Sequence, residues 1–109
     1  MIARILYSNT FEKKYKRYVK KFASLESDLK LFLNSITETT SVNLGGGIHK
    51  YRLAVKSKNR GKSGGFRIIS FEIIVSADTK EITLLTIYDK NDQSSISKSQ
   101  IHSLLKSFG

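Results

Sequence analysis

Apolar and polar residues alternate along this chain in two different rhythms, and the switches between them mark out the elements. Ile2 to Tyr7 is a short apolar run that Ser8-Asn9-Thr10 ends, which predicts an opening strand followed by a helix capped at Asn9 or Thr10. From there the period is helical: Phe11, Tyr15, Tyr18, Val19 and Phe22 share one face, with Lys13, Lys14, Lys16, Arg17, Lys20 and Lys21 around it. The stripe spans about three turns, which suits packing on a sheet. Ser24 opens a second helix whose face is Leu25, Leu29, Phe32, Leu33 and Ile36, with Glu26 and Asp28 near its positive N-terminal end. So short a link between two helices predicts an antiparallel hairpin.

Thr37 to Gly47 is polar, ends in three glycines and reads as a loop. The period then becomes two. In Ile48 to Lys56, Tyr51, Leu53 and Val55 fall on one face of a strand, while Lys50, Arg52 and Lys56 fall on the other. Phe66 to Val75 and Glu81 to Tyr88 have the β-branched content of central strands, and Ala77-Asp78-Thr79-Lys80 is a hairpin turn between them. Ser97 and Gln100 form a capping box ahead of Ile101, Leu104, Leu105 and Phe108, a short final helix. The expectation is one α+β domain over residues 1–109, ordered β-α-α-β-β-β-α. A small, mainly antiparallel sheet should carry the helical hairpin on one face, with a short C-terminal helix besides. The helical stripes should cover one face and leave the cations on the other.

Charge sharpens this picture. The formal net charge is +10 over 109 residues, unevenly spread. Residues 1–44 hold eight Lys/Arg and four Asp/Glu, residues 45–70 hold seven and none, and residues 71–109 hold four and five. A surface kept basic only for solubility mixes signs, whereas the middle segment does not, so a polyanion is the expected partner. There is no Cys and there are only two His, which removes disulfides, thiolate chemistry and a cysteine-based zinc site. No metal or other cofactor is expected. The run at Met1 to Tyr7 is too short for a signal peptide or a membrane span, so the chain reads as soluble and cytoplasmic, with no membrane partner.

Several residues invite chemistry. Gly61-Lys62-Ser63 resembles part of a phosphate loop, but the first glycine of that motif would fall at Lys56, and a strand rather than a helix follows. What remains is a basic loop holding Lys58, Arg60 and Lys62. Arg67 has the parity of Ile69 and Phe71 on an apolar strand, so it needs an anionic partner: either a structural carboxylate (Glu72, Asp89 or Asp92) or a phosphate at a site. Tyr88 and Lys90 end the last strand and can hold an anion or move a proton. These tools suit RNA cleavage without a metal. In that reaction the substrate's 2′-hydroxyl attacks the neighbouring phosphate and cations stabilise the phosphorane.

Lys50-Tyr51-Arg52, the segment Gly61 to Arg67, and Leu84 to Asp92 with Ile96-Ser97 resemble the RelE/ParE toxin superfamily, closest to its HigB-type branch. The resemblance implies the toxin of a bacterial type II toxin–antitoxin pair. It would cleave mRNA in the ribosome and be neutralised by a cognate antitoxin encoded by the adjacent gene. By that resemblance the catalytic set is Lys50, Arg52, Arg67, Tyr88 and Lys90, and Lys56, Lys58, Arg60 and Lys62 contact RNA. Two alternatives stay open: a ParE-like inhibitor of DNA gyrase, and a non-catalytic RNA-binding module.

Overall fold

In the computed structural model, which describes residues 1–58 and 65–108, the chain forms β1 (Ile2–Tyr7), α1 (Asn9–Lys21), α2 (Leu25–Asn34), β2 (Val42–Gly45), β3 (Ile48–Leu53), β4 (Phe66–Ile74), β5 (Thr79–Asp89) and α3 (Lys98–Phe108). Single 3-10 turns sit at Ile36–Glu38 and Lys56–Lys58. The five strands make one sheet in the order β1-β5-β4-β3-β2, with β1 parallel to β5 and the other pairs antiparallel. No described helix is long and apolar enough to cross a membrane.

Ser8, rather than Asn9 or Thr10, caps α1. Its hydroxyl accepts from the Phe11 amide at 3.0 Å and donates to the Leu85 carbonyl at 2.8 Å, which ties the helix start to β5. The capping box of α3 forms as the spacing predicts: the Gln100 amide donates to the Ser97 hydroxyl at 3.1 Å, and the Ser97 amide to the Gln100 side chain at 2.9 Å.

β2 lies where the polarity of residues 37–47 predicts a loop. Its four residues are all exposed, and the alternation of Val42 and Leu44 is too short to stand out from the polar residues around it. Hydrogen bonding to the edge of β3 holds it, and Gly45, Gly46 and Gly47, all at positive φ (91°, 60° and 84°), turn the chain back. A Cβ on Gly47 would meet the Glu72 carbonyl at 2.8 Å, so this corner needs glycine for space as well as for conformation.

The helices do not share one face. Phe11, Tyr18, Leu25, Leu29 and Phe32 of the hairpin pack with Tyr51, Leu53, Phe66, Ile68, Ile82, Leu84 and Ile87 of the sheet. Phe66 and Ile68 are fully buried there, worth roughly 2–3 kcal/mol each in transfer free energy. Ile101 of α3 packs on the other face with Ile48, Ile69, Leu85 and Tyr88, and Leu104 and Leu105 lie against them. The reason lies in β4 and β5, which are apolar on both faces. A hairpin on one side leaves the second set of side chains to be covered, and α3 covers part of it.

One irregularity sets the phase of β5. Ile69 is opposite Thr86 but Ser70 is opposite Leu84, so Leu85 is an extra residue, a β-bulge. Ile82 and Leu84 face the helical hairpin before it and Ile87 does after it, while Tyr88 faces the other way. Without the bulge a period of two would turn Tyr88 toward the hairpin.

Candidate functional site

The register across the three central strands puts Arg52 opposite Arg67, and Arg67 opposite Tyr88. The next row along is Lys50, Ile69 and Thr86. Lys50, Arg52, Arg67 and Tyr88 therefore lie on one face, the one away from the helical hairpin. Arg52 is exposed, Lys50 is half-buried, and Arg67 and Tyr88 are buried at 5% and 1% exposure. Like charges directly opposite one another on a sheet repel. Burial lowers the pKa of Arg67, and the neighbouring Arg52 charge lowers it further. Its Nη1 donates to the Phe66 carbonyl at 3.2 Å.

Tyr88 has a buried hydroxyl with no hydrogen-bond partner among the described residues. Burial pushes its pKa up, and the charge of Arg67 works against that rise. The phenol is therefore neutral at neutral pH and retains a proton to donate. Lys14 of α1 approaches it from beyond the edge of β5, with its ammonium 6.0 Å from the ring centre. Burial, then the Arg17 charge, lower the pKa of Lys14, and Asp92 opposes them. Periodicity places Lys14 on the solvated side of α1 and carries no hint of this approach. It arises because β1 pairs with β5 only as far as Leu84, so α1 runs past the open edge beyond.

The remaining cations separate. Lys90 follows β5 and is half-buried, its amide donating to the Gly65 carbonyl at 3.2 Å. Lys56 is exposed, and its amide is anchored by the Asp28 carboxylate at 3.0 Å. Lys58 leaves the set of surface RNA contacts that its sequence neighbourhood predicts. Its side chain is 3% exposed, paired with Asp89 and set over the rings of Phe22 and Phe66 at 5.2 and 5.3 Å. An ammonium in an aromatic pocket beside a carboxylate is structural. Arg60 and Lys62, like the Gly61-Lys62-Ser63 segment, lie outside the described residues.

The carboxylates weighed as structural partners of Arg67 have engagements elsewhere. Asp89 pairs with Lys58, and Asp92 accepts from the Tyr18 hydroxyl at 3.1 Å. Glu72 is on the hairpin face, where it accepts from Tyr51 at 2.5 Å and Ser70 at 2.7 Å and lies 2.9 Å from the Lys80 ammonium. His49 adjoins that cluster, its ring 3.0 Å from the Ser41 hydroxyl, and His102 is exposed on α3. Among the described residues no group of three or more His, Cys, Asp or Glu is placed to hold a metal ion.

Chemically, the face offers two guanidiniums, an ammonium and a neutral phenol converging from adjacent strands. That is a set for holding a phosphodiester and moving a proton at it. A family model described as the RelE toxin of the RelE / RelB toxin-antitoxin system matches residues 4–107. No curated protein matches the chain.

Proposed function

This chain belongs to the RelE toxin family, and from that premise we propose that it is an mRNA endonuclease of the HigB-type branch that acts in the cytoplasm on the translating ribosome without a metal. It is a toxin of a toxin–antitoxin system, and toxins of this family pair with an antitoxin. The observation that carries the nuclease reading is the row Arg52–Arg67–Tyr88, three facing residues on adjacent strands.

The reaction follows from what these groups can do. The substrate's 2′-oxygen attacks the adjacent phosphorus and loses its proton. The bond from phosphorus to the 5′-oxygen breaks, leaving a 2′,3′-cyclic phosphate on one fragment and a 5′-hydroxyl on the other. Charge builds on the non-bridging oxygens in the transition state, where Arg52 and Arg67 stabilise it, each through a planar fork of donors. Lys50, one row away, adds charge and assists removal of the 2′ proton. The neutral Tyr88 phenol donates to the departing 5′-oxygen, and Lys90 completes the strand end. Lys56, Arg60 and Lys62 guide the RNA backbone.

The test is to incubate purified toxin with ribosomes programmed with a defined mRNA and to map the ends. Cuts at fixed codon positions, with cyclic phosphate and 5′-hydroxyl ends, are expected. Intact mRNA together with gyrase-dependent DNA breaks would replace this reading with the gyrase one. Intact mRNA bound without damage to either would leave an RNA-binding module.

A further inference from the structure

Beside the Arg52–Arg67–Tyr88 row lies a groove that the reaction above leaves unused. β2 meets β3 only from Lys50 back to Ile48, so β2 leaves the edge of β3 beyond Lys50 uncovered. The chain between the Ile36–Glu38 turn and β2 runs past that edge and forms an opposite wall. The space between is about 590 Å3, within the usual range of ligand sites, with Glu38, Thr39, Thr40, Ser41 and Val42 on one side and Lys50 and Arg52 on the other.

The two walls differ in chemistry. Lys50 and Arg52 belong to both the groove and the phosphate-binding face, so a strand whose phosphate they hold has a flanking nucleotide at the groove. The other wall is polar except for the exposed Val42, and it is largely uncommitted. Glu38 and Thr40 are exposed, and among the described residues Glu38 makes no ion pair even though two cations line the same groove. The Thr39 hydroxyl donates to the Ser35 carbonyl at 2.7 Å, which leaves its lone pairs open, and Ser41 is bonded to His49.

We propose that this groove is a nucleotide subsite for single-stranded RNA and that Glu38 makes it select guanine. Sequence-specific recognition of single strands works through hydrogen bonds to the Watson–Crick edges of splayed bases. On that edge guanine presents its N1–H and its 2-amino group side by side, and they meet the two oxygens of one carboxylate. Adenine, cytosine and uracil each offer a single donor group there. A carboxylate that lines the same groove as two cations supplies acceptors for the base where the cations supply donors for the phosphate. The inference rests on the nuclease reading only for placing this nucleotide beside the cut, since the binding itself needs no cleavage.

The test uses the full chain and 2′-O-methyl trinucleotides, whose blocked 2′-oxygen cannot attack. Guanosine or inosine, which lacks the 2-amino group, is placed at each position in turn, and binding is followed by amide NMR shifts. At one position guanosine should bind about tenfold tighter than inosine and shift the amides of residues 38–41. Glu38→Gln should abolish that preference, bringing the guanosine and inosine trinucleotides to equal affinity. Lys50→Ala should weaken both trinucleotides alike. Equal affinities in the unaltered protein, silent amides at 38–41, or a preference that survives Glu38→Gln would each overturn the proposal. If the trinucleotides bind as expected while ribosome-bound mRNA stays whole, the subsite stands and the nuclease reading falls. If mRNA is cut while the groove is silent, only the subsite falls.

Discussion

Glu72 and Arg67 are five positions apart on β4, both buried, on opposite faces of the sheet. Glu72 faces the helical hairpin and is answered by groups that suit its charge: two hydroxyls, from Tyr51 and Ser70, and the Lys80 ammonium. Arg67 faces the other way, and its neighbours across the sheet are a second arginine and a phenol. A buried charge among complementary partners stabilises one arrangement of the chain. A buried charge set beside a like charge raises local potential, and an added anion lowers it. One strand thus carries a structural charge at one end and, on the proposed reading, a catalytic one at the other.

The sharpest way to break this comparison is to remove each charge. Arg67→Ala should leave far-UV circular dichroism unchanged and lower the single-turnover rate of mRNA cleavage by about a hundredfold to a thousandfold, the usual cost of losing one transition-state donor. Glu72→Ala should do the reverse. It should cost about 3–5 kcal/mol of stability in urea unfolding, as breaking a buried pair does, with the rate per folded molecule unchanged. Full cleavage by a folded Arg67→Ala variant would take Arg67 out of the mechanism.

Tyr88→Phe comes next. The hydroxyl it removes has no partner among the described residues, so stability should stay within about 0.5 kcal/mol. The cleavage rate should fall about a hundredfold if the phenol is the acid. A loss of stability with unchanged rate would make Tyr88 a core residue only.

The pH dependence of folding sharpens the Glu72 side. Burial there opposes the charged form, but hydrogen bonds from Tyr51, Lys80 and Ser70 and the His49 charge outweigh it and hold the carboxyl below its ordinary 4.5. A carboxyl with a lowered folded pKa stabilises above its unfolded value and loses that contribution as pH falls through the folded one. Relative to Glu72→Gln, the native protein should therefore be more stable at pH 7, with the gap closing below about pH 4.5. A gap that widened in acid would reverse the assignment. The smallest effect belongs to Lys14→Met, which should slow cleavage about two- to fivefold by removing the cation over the Tyr88 ring, with Lys14→Arg restoring the rate.

Much of this was legible in the chain itself. Helical and strand periods placed β1, both hairpin helices, the three central strands and α3, because each buries an apolar stripe whose spacing is written in the residues. The same parity put Lys50 and Arg52 together on the face away from the hairpin. The family resemblance rested on residues 48–97, and the matching model spans 4–107.

Other features had no local signal. β2 is held by an edge and three glycines and buries nothing, so composition read it as loop. α3 has an ordinary amphipathic stripe, and only the second apolar face of the assembled sheet decides which side it covers. Lys58 has the same chemistry as Lys56 two positions before it, yet Phe22 and Asp89, far off in the chain, meet it together with Phe66. Lys14 reaches Tyr88 only because β1 stops short along β5.

Within the candidate site the division is sharpest at Tyr88. Local periodicity determined which residues are apolar, which are cationic and which elements hold them, because those properties depend on neighbours a few positions away. Tertiary structure decided the register of β3, β4 and β5 and the extra residue at Leu85. Hydrogen bonding from strand to strand, which the period within any one strand does not fix, sets that phase, and with it the meeting of Arg52, Arg67 and Tyr88 on one face.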